Sequence, residues 1–161
     1  MQYRHEVKHE ISNLDMLILR QRLRAVMAPD SHAIDGQYEI RSLYFDNRDD
    51  KALREKLDGV SRREKYRIRM YNNDPSVIRL ERKFKCSGLG YKESALLTQA
   101  QACQIAGGDI HWMAASTDEV ILRFYTCLRN EGLAAKVIVD YTREPFVFVP
   151  GNVRVTLDYN I

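Results

Sequence analysis

Arg62-Arg63-Glu64-Lys65-Tyr66-Arg67-Ile68-Arg69-Met70-Tyr71 decides how this chain is read, because from Lys65 onward a charge falls at every second position. Side chains on a strand alternate between faces, so Lys65, Arg67 and Arg69 share one side while Ile68 and Met70 take the other. The alternation recurs in Arg79, Glu81, Lys83 and Lys85 with Leu80 and Phe84 between them, and in Arg4, Glu6 and Lys8 around Val7. It returns where Arg154 leads to Asp158 among Val153, Val155 and Leu157. Charged faces that look outward make a solvated sheet. Charged faces that converge line a basic cavity suited to a row of phosphates.

Working outward from that strand, Asp58-Gly59 precedes it, and turns at Asn72-Asn73-Asp74-Pro75 and Ser87-Gly88 follow. They predict a meander of about Arg62 to Tyr71, Val77 to Cys86 and Gly90 to Ala95. Upstream, residues 3–11 read as a strand ending at Ser12, which with Asp15 opens a helix through about Met27. Leu14, Leu17, Ile18, Leu23 and Val26 give that helix one apolar face, expected to rest on something. Tyr38 to Asp46 follows as a strand, with Ile40, Ser42, Tyr44 and Asp46 on one side and Arg41, Leu43 and Phe45 on the other; Asn47 then caps a short helix through about Leu57. Downstream, Thr98 to Ala106 and Thr117 to Arg129 read as helices. Ala135 to Val149 and Val153 to Tyr159 form a last strand pair around Pro150-Gly151-Asn152.

Helices interrupting a mostly antiparallel run of strands predict one α+β domain over residues 1–161, an antiparallel β tunnel or open barrel lined by basic residues with helices packed outside. A sheet face covered by helices must be the apolar one, which leaves the charged faces for each other or for water. The 161 residues, 45 % apolar and 29 % charged, suffice for one core, and a net charge of +3 excludes a histone-like polycation. Attraction for polyanions must therefore come from local clustering, which is richest between Arg54 and Lys92. Met1 to Ile11 lacks the apolar run of a signal peptide, and no stretch approaches the roughly 20 apolar residues of a membrane span, so a cytoplasmic, membrane-free protein is expected. Cys86, Cys103 and Cys127 are odd in number without a CxxC pair, which points to free thiols in a reducing compartment.

Arg67 and Arg69 lie about 7 Å apart along a strand, close to the spacing of neighbouring phosphates, and each guanidinium can fork onto phosphate oxygens. Glu81, ahead of Lys83 and Lys85, is either a structural counter-ion or an oxygen ligand that helps hold Mg²⁺ or Mn²⁺ on a bound triphosphate; Glu6 between Arg4 and Lys8 repeats the choice. Tyr91-Lys92 and Tyr141-Thr142-Arg143 set cations next to tyrosines that either buttress phosphate or simply pack.

Arg4-His5-Glu6-Val7-Lys8, Arg41-Ser42-Leu43-Tyr44-Phe45-Asp46-Asn47, Tyr66 to Tyr71, Glu81-Arg82-Lys83, Tyr91-Lys92-Glu93-Ser94, Tyr141-Thr142-Arg143 and Val153 to Asp158 follow in order over nearly the whole chain. At these residues it resembles the VTC domain, the polyphosphate polymerase type of the CYTH-like or triphosphate tunnel group. The resemblance implies an Arg- and Lys-lined antiparallel tunnel that binds ATP or another nucleoside triphosphate with a divalent metal and passes the γ-phosphoryl to polyphosphate. It carries phosphate-binding roles onto Lys8, Arg67, Arg69, Lys83, Lys92, Arg143 and Arg154, with Tyr141 close by, and Arg67, Arg69, Lys83 and Arg143 are the candidates for acting on the transferred group. Arg41 and Lys85 join the phosphate-binding candidates, and Glu81 and Glu6 are the metal candidates.

The resemblance also implies further C-terminal strands beyond Ile161, so open sheet edges and self-association through them are expected. Triphosphate hydrolysis and non-catalytic polyanion binding are the rival functions. Specific nucleic-acid binding is disfavoured, because the charged faces lack the interleaved aromatics of a stacking platform.

Overall fold

A computed structural model describes residues 5–161. In chain order the elements are α1 (Asn13–Val26), β1 (Ala28–Pro29), β2 (Tyr38–Asp46), α2 (Lys51–Leu57), β3 (Arg63–Tyr71), β4 (Asp74–Cys86), β5 (Leu89–Leu97), α3 (Gln99–Ala106), α4 (Glu119–Asn130), β6 (Ala134–Phe148) and β7 (Val153–Tyr159), with short 3-10 turns at His111–Ala115 and Val149–Gly151. Strand order is β1-β6-β2-β3-β4-β5, and β7 also pairs with β6. The pairs β1–β6, β3–β4, β4–β5 and β6–β7 are antiparallel. The fold is therefore the expected mixed α+β type with an antiparallel sheet. By contacts it divides into two compact units, one holding Glu6 and Arg41–Val139, the other Val7–Ile40 and Asp140–Ile161. Among the described residues no helix is long and apolar enough to cross a membrane.

The first unit is built on the predicted meander. Asn72 and Asn73, both with φ near +52°, form the tight turn between β3 and β4, and Ser87 with Gly88 turns β4 into β5. Such left-handed pairs match the strand twist, and Asn and Gly accept that backbone most readily. The register sets Tyr66 opposite Arg82, Ile68 opposite Leu80 and Leu80 opposite Ala95. Ile68, Leu80, Ala95 and their same-face neighbours Tyr66, Ile78 and Leu97 are all buried, and they pack with Ile105 of α3, Met113, and Ile121, Phe124 and Cys127 of α4. Phe124 stacks on Tyr66 at 4.8 Å and meets Phe45 edge-on at 4.9 Å. Helices do cover the apolar face, as the patterning requires.

Local signals hold the helices of this unit. Thr98 and Gln101 form a capping box at α3, and Asp118 accepts from Val120 and Ile121 to start α4. At α2 the buried Asp46 carboxylate accepts from the Ala52 and Leu53 amides at 2.9 and 3.1 Å, while Asn47 takes the Lys51 amide at 3.0 Å. The N-cap position is held by Asp50, in left-handed backbone and without a side-chain capping bond, not by the expected Asn47; Asn47 and Asp46 instead reach the first amides of the helix from before the cap.

In the second unit β6 pairs with β7 from Thr142 to Phe148, and Ser12 with Asp15 makes the predicted capping box of α1. Two expectations fail here. His5–Ile11 carries no strand and every residue of it is exposed; residues 3 and 4 of the predicted strand lie outside the described residues. Alternating charge makes a segment compatible with a sheet, but a strand exists only where a neighbour takes up its backbone N–H and C=O groups in a regular ladder, and none is assigned from His5 to Ile11. Nor does the apolar face read for α1 find a surface. Leu14, Leu17, Ile18 and Val26 of that face are exposed and only Leu23 is half-buried, together with Met16 and Leu19, which are not part of it.

Candidate functional site

Alternation along β3, β4 and β5 puts Lys65, Arg67, Arg69, Arg79, Glu81, Lys83, Lys85 and Lys92 on the face away from the helices. Lys65 stands opposite Lys83, Arg67 opposite Glu81, and Lys83 opposite Lys92. The sequence candidates Arg67, Arg69, Glu81, Lys83, Lys85 and Lys92 thus share one face of one unit.

At its centre is a buried charge cluster. Glu81 is 0 % exposed, Arg67 6 % and Arg69 3 %. One Glu81 oxygen accepts from Arg67 Nε at 2.7 Å and Nη2 at 2.5 Å, and the other accepts from Lys92 Nζ at 2.7 Å. Arg67 Nη1 donates to the Tyr44 hydroxyl at 3.1 Å, and Arg69 Nε donates to Ser42 Oγ at 2.9 Å. Burial alone would raise the Glu81 carboxyl, but Arg67 and Lys92 outweigh it and hold the group at about 2. Lys83 moves the other way: burial first, then Arg67, Lys65 and Arg69, bring its ammonium down to about 8, against a smaller opposing pull from Glu6, whose carboxylate is 3.9 Å away. Burial also works to raise Tyr44, yet Arg67, Lys65 and Arg69 together draw its phenol below the ordinary value.

The donor set around Glu81 does not fit a divalent cation, since both oxygens already receive charge-assisted hydrogen bonds from cations. Its geometry is that of the counter-ion. Glu6 sits exposed on the irregular N-terminal segment. One other acidic group, Glu64 with Cys127 and Glu131 inside 4.8 Å, is engaged elsewhere: Glu64 takes Arg82, and Glu131 takes Lys51 at 2.7 Å.

Arg41 alternates with Ser42 and Tyr44 and so points to the opposite side of β2. Tyr91 faces the helix side, where its hydroxyl accepts from Arg82 at 3.0 Å beside the Arg82–Glu93 pair at 2.8 Å; it is a packing tyrosine. In the second unit Arg143 forks onto Asp158 with two 2.6 Å bonds and lies 5.3 Å over the Tyr141 ring. Arg154 bonds Asp30, and Lys8 belongs to the exposed irregular segment. Arg143 and Arg154 share a face of the β6–β7 pair, since Arg154 stands opposite Val147.

Ser42, Tyr44 and Lys65 are the residues of the cluster that sequence reasoning left unassigned. Lys65 was visible in the charge alternation; Ser42 and Tyr44 are legible only as sharing one face of a strand, because their part in the site depends on β2 lying next to β3.

Among curated proteins none matched this chain. Among family descriptions, the VTC domain matched over residues 3–161. With the antiparallel sheet and the shared cationic face in place, that match over nearly the full length assigns the chain: it belongs to the VTC domain family.

Proposed function

We propose that the β3–β5 face binds the phosphate chain of a nucleoside triphosphate or polyphosphate, and that the domain transfers the γ-phosphoryl of ATP to a growing polyphosphate. Membership of the VTC family supports a polyphosphate polymerase-like or triphosphate-binding domain in general. The observation that carries the finer reading is the burial of Arg67 and Arg69 on a face whose one buried carboxylate, Glu81, is shared between Arg67 and Lys92. Cations fixed in this way need no reorganisation when an anion arrives, and phosphoryl transfer asks the protein mainly for in-line positioning and neutralisation of the equatorial oxygens. In the transfer a terminal oxygen of the acceptor chain attacks the γ-phosphorus, the bond to the β-phosphate oxygen breaks, and the nucleoside diphosphate leaves. Arg67, Arg69 and Lys83 hold the transferred group in this reading, with Lys85 and Lys92 beside them. We assign no protein ligand to the Mg²⁺ or Mn²⁺ that accompanies the nucleotide.

Non-catalytic polyanion binding is the second reading, favoured by the engagement of Glu81 as a counter-ion. Incubation with ATP and Mg²⁺ or Mn²⁺ separates the outcomes. Chain growth on a gel supports the polymerase, free phosphate without growth supports hydrolysis, and retention of polyphosphate without turnover supports the binding module. Failure to bind polyphosphate at all would end both readings.

Lys83 adds a pH signature. With its free-state value at about 8, an arriving polyanion favours the charged form, so tripolyphosphate binding takes up a proton at and above that pH and weakens as pH rises further. Below pH 7 the group is already charged and uptake disappears. Titration calorimetry in buffers of different ionisation enthalpy reads the proton directly, and Lys83→Arg, which does not titrate in this range, is expected to abolish the uptake while keeping the binding.

A further inference from the structure

We propose that the outward face of α1 is a docking surface for a second copy of this chain, whose own α1 lies against it antiparallel. At 3.6 residues per turn, Met16, Leu19, Arg20 and Leu23 fall on one side of the helix, and Leu14, Leu17, Ile18, Gln21 and Ala25 on the other. The first set is half-buried; the second is exposed, with Leu14, Leu17 and Ile18 at 67, 50 and 42 %. Single exposed apolar side chains are ordinary, whereas a contiguous stripe of them marks a contact surface. The helix cannot roll to hide it. Arg20 donates to the buried Glu144 through Nε at 2.8 Å and Nη2 at 2.7 Å, and the Tyr159 hydroxyl donates to the same carboxylate at 2.8 Å. Rolling would withdraw Arg20 and leave that carboxylate buried without its cation.

Charge selects the occupant. Asp15 and Arg22, seven residues apart, stand in line along one flank of the stripe, with Arg24 along the other. A second α1 laid antiparallel about a two-fold axis near Ile18 meets the same flank, so Asp15 of each copy stands beside Arg22 of the other. Leu14 then seats between Gln21 and Ala25 of the second copy, and Leu17 and Ile18 pack on their counterparts at the axis. A parallel pair would instead bring Arg22 beside Arg24 and align the two helix dipoles in the same sense. The surface lies in the second unit and is independent of the phosphate-chain reading.

Sedimentation velocity of the full chain tests it. A single helix pair falls below the roughly 1,200 Å² of a stable interface, so a reversible dimer with a Kd on the order of 10–100 µM is expected. Ile18→Glu should raise that Kd more than about tenfold, and Arg22→Glu about tenfold, since each of the two ion pairs becomes a repulsion. Arg24→Glu, the same charge change on the other flank, should shift it less than about twofold. These side chains are exposed, so the melting temperature of the dilute protein should hold in all three. Under mild oxidation, with Cys86→Ser and Cys103→Ser as background, Ile18→Cys should crosslink to its counterpart and Leu14→Cys should not, because antiparallel pairing sets the two Leu14 positions about 13 Å apart along the axis. A chain that stays monomeric up to about 500 µM overturns the proposal. So does a dimer that Ile18→Glu leaves intact, as pairing through sheet edges would, or crosslinking of both cysteine variants alike. Monomeric protein that co-sediments with phosphatidylserine vesicles, and loses that binding equally in Arg22→Glu and Arg24→Glu, overturns it in favour of a lipid surface.

Discussion

Glu81→Ala lowers the free energy of unfolding by about 3–5 kcal/mol, the range for removing one partner of a buried ion pair. The carboxylate is fully buried and takes Arg67 and Lys92 at once; without it the buried Arg67 guanidinium keeps the Tyr44 hydroxyl but no opposite charge. Its pH dependence follows from the folded value of about 2 against the ordinary 4.5. A depressed carboxylate contributes stability that is fully present above about pH 4.5 and is lost as pH falls toward 2. Urea unfolding at pH 7, 4.5 and 3 should show the wild type losing stability through that window, and Glu81→Gln should lack that component. A change in unfolding free energy below about 1 kcal/mol for Glu81→Ala at pH 7 would mean that water screens the cluster, contrary to its burial.

Arg69→Ala combined with Lys83→Ala is expected to reduce tripolyphosphate affinity by roughly 10²- to 10⁴-fold. Each substitution removes a charged hydrogen-bond donor worth about 1.5–3 kcal/mol, and about 1.4 kcal/mol is a factor of ten. This pair is preferred to Arg67 because it leaves the Arg67–Glu81–Lys92 ion pairs intact; Arg69 is itself buried and bonded to Ser42, so the melting temperature of the variant is measured alongside, and a binding loss counts only where the fold is kept. Fluorescence anisotropy with labelled polyphosphate at two salt concentrations checks it. Diffuse attraction to a basic surface would give a small loss that vanishes at high salt, whereas fixed contacts keep most of the difference. A loss under about threefold at low salt would remove these residues from the site.

Much of this was legible in the sequence where a rule acts within one strand pair. Period-two charge from Lys65 to Lys85, bounded by Asn72-Asn73 and Ser87-Gly88, specifies the meander and which side chains share a face. Ser12 with Asp15 and Thr98 with Gln101 announce helix starts through bonds three residues apart. What failed depended on partners distant in sequence. Among the described residues His5–Ile11 has a strand's pattern but no assigned strand, and of the apolar face read for α1 only Leu23 meets a surface, beside Met16 and Leu19. The site shows the same division. That Arg67, Arg69 and Lys83 face one way is local geometry, whereas the saturation of Glu81 by Arg67 and Lys92 requires the β3–β4–β5 register, and the part of Ser42 and Tyr44 requires β2 beside β3.

The two tight turns also impose an order on biogenesis. β3, β4 and β5 are joined by hairpins and complete at Leu97, whereas Phe124 and Cys127, which cover Tyr66, lie a further helix downstream. Sequence-local hairpins close quickly. During translation the cationic side can therefore be assembled while its greasy reverse still awaits α4, and until Phe124 is synthesised the apolar face of the hairpins has no helix to cover it.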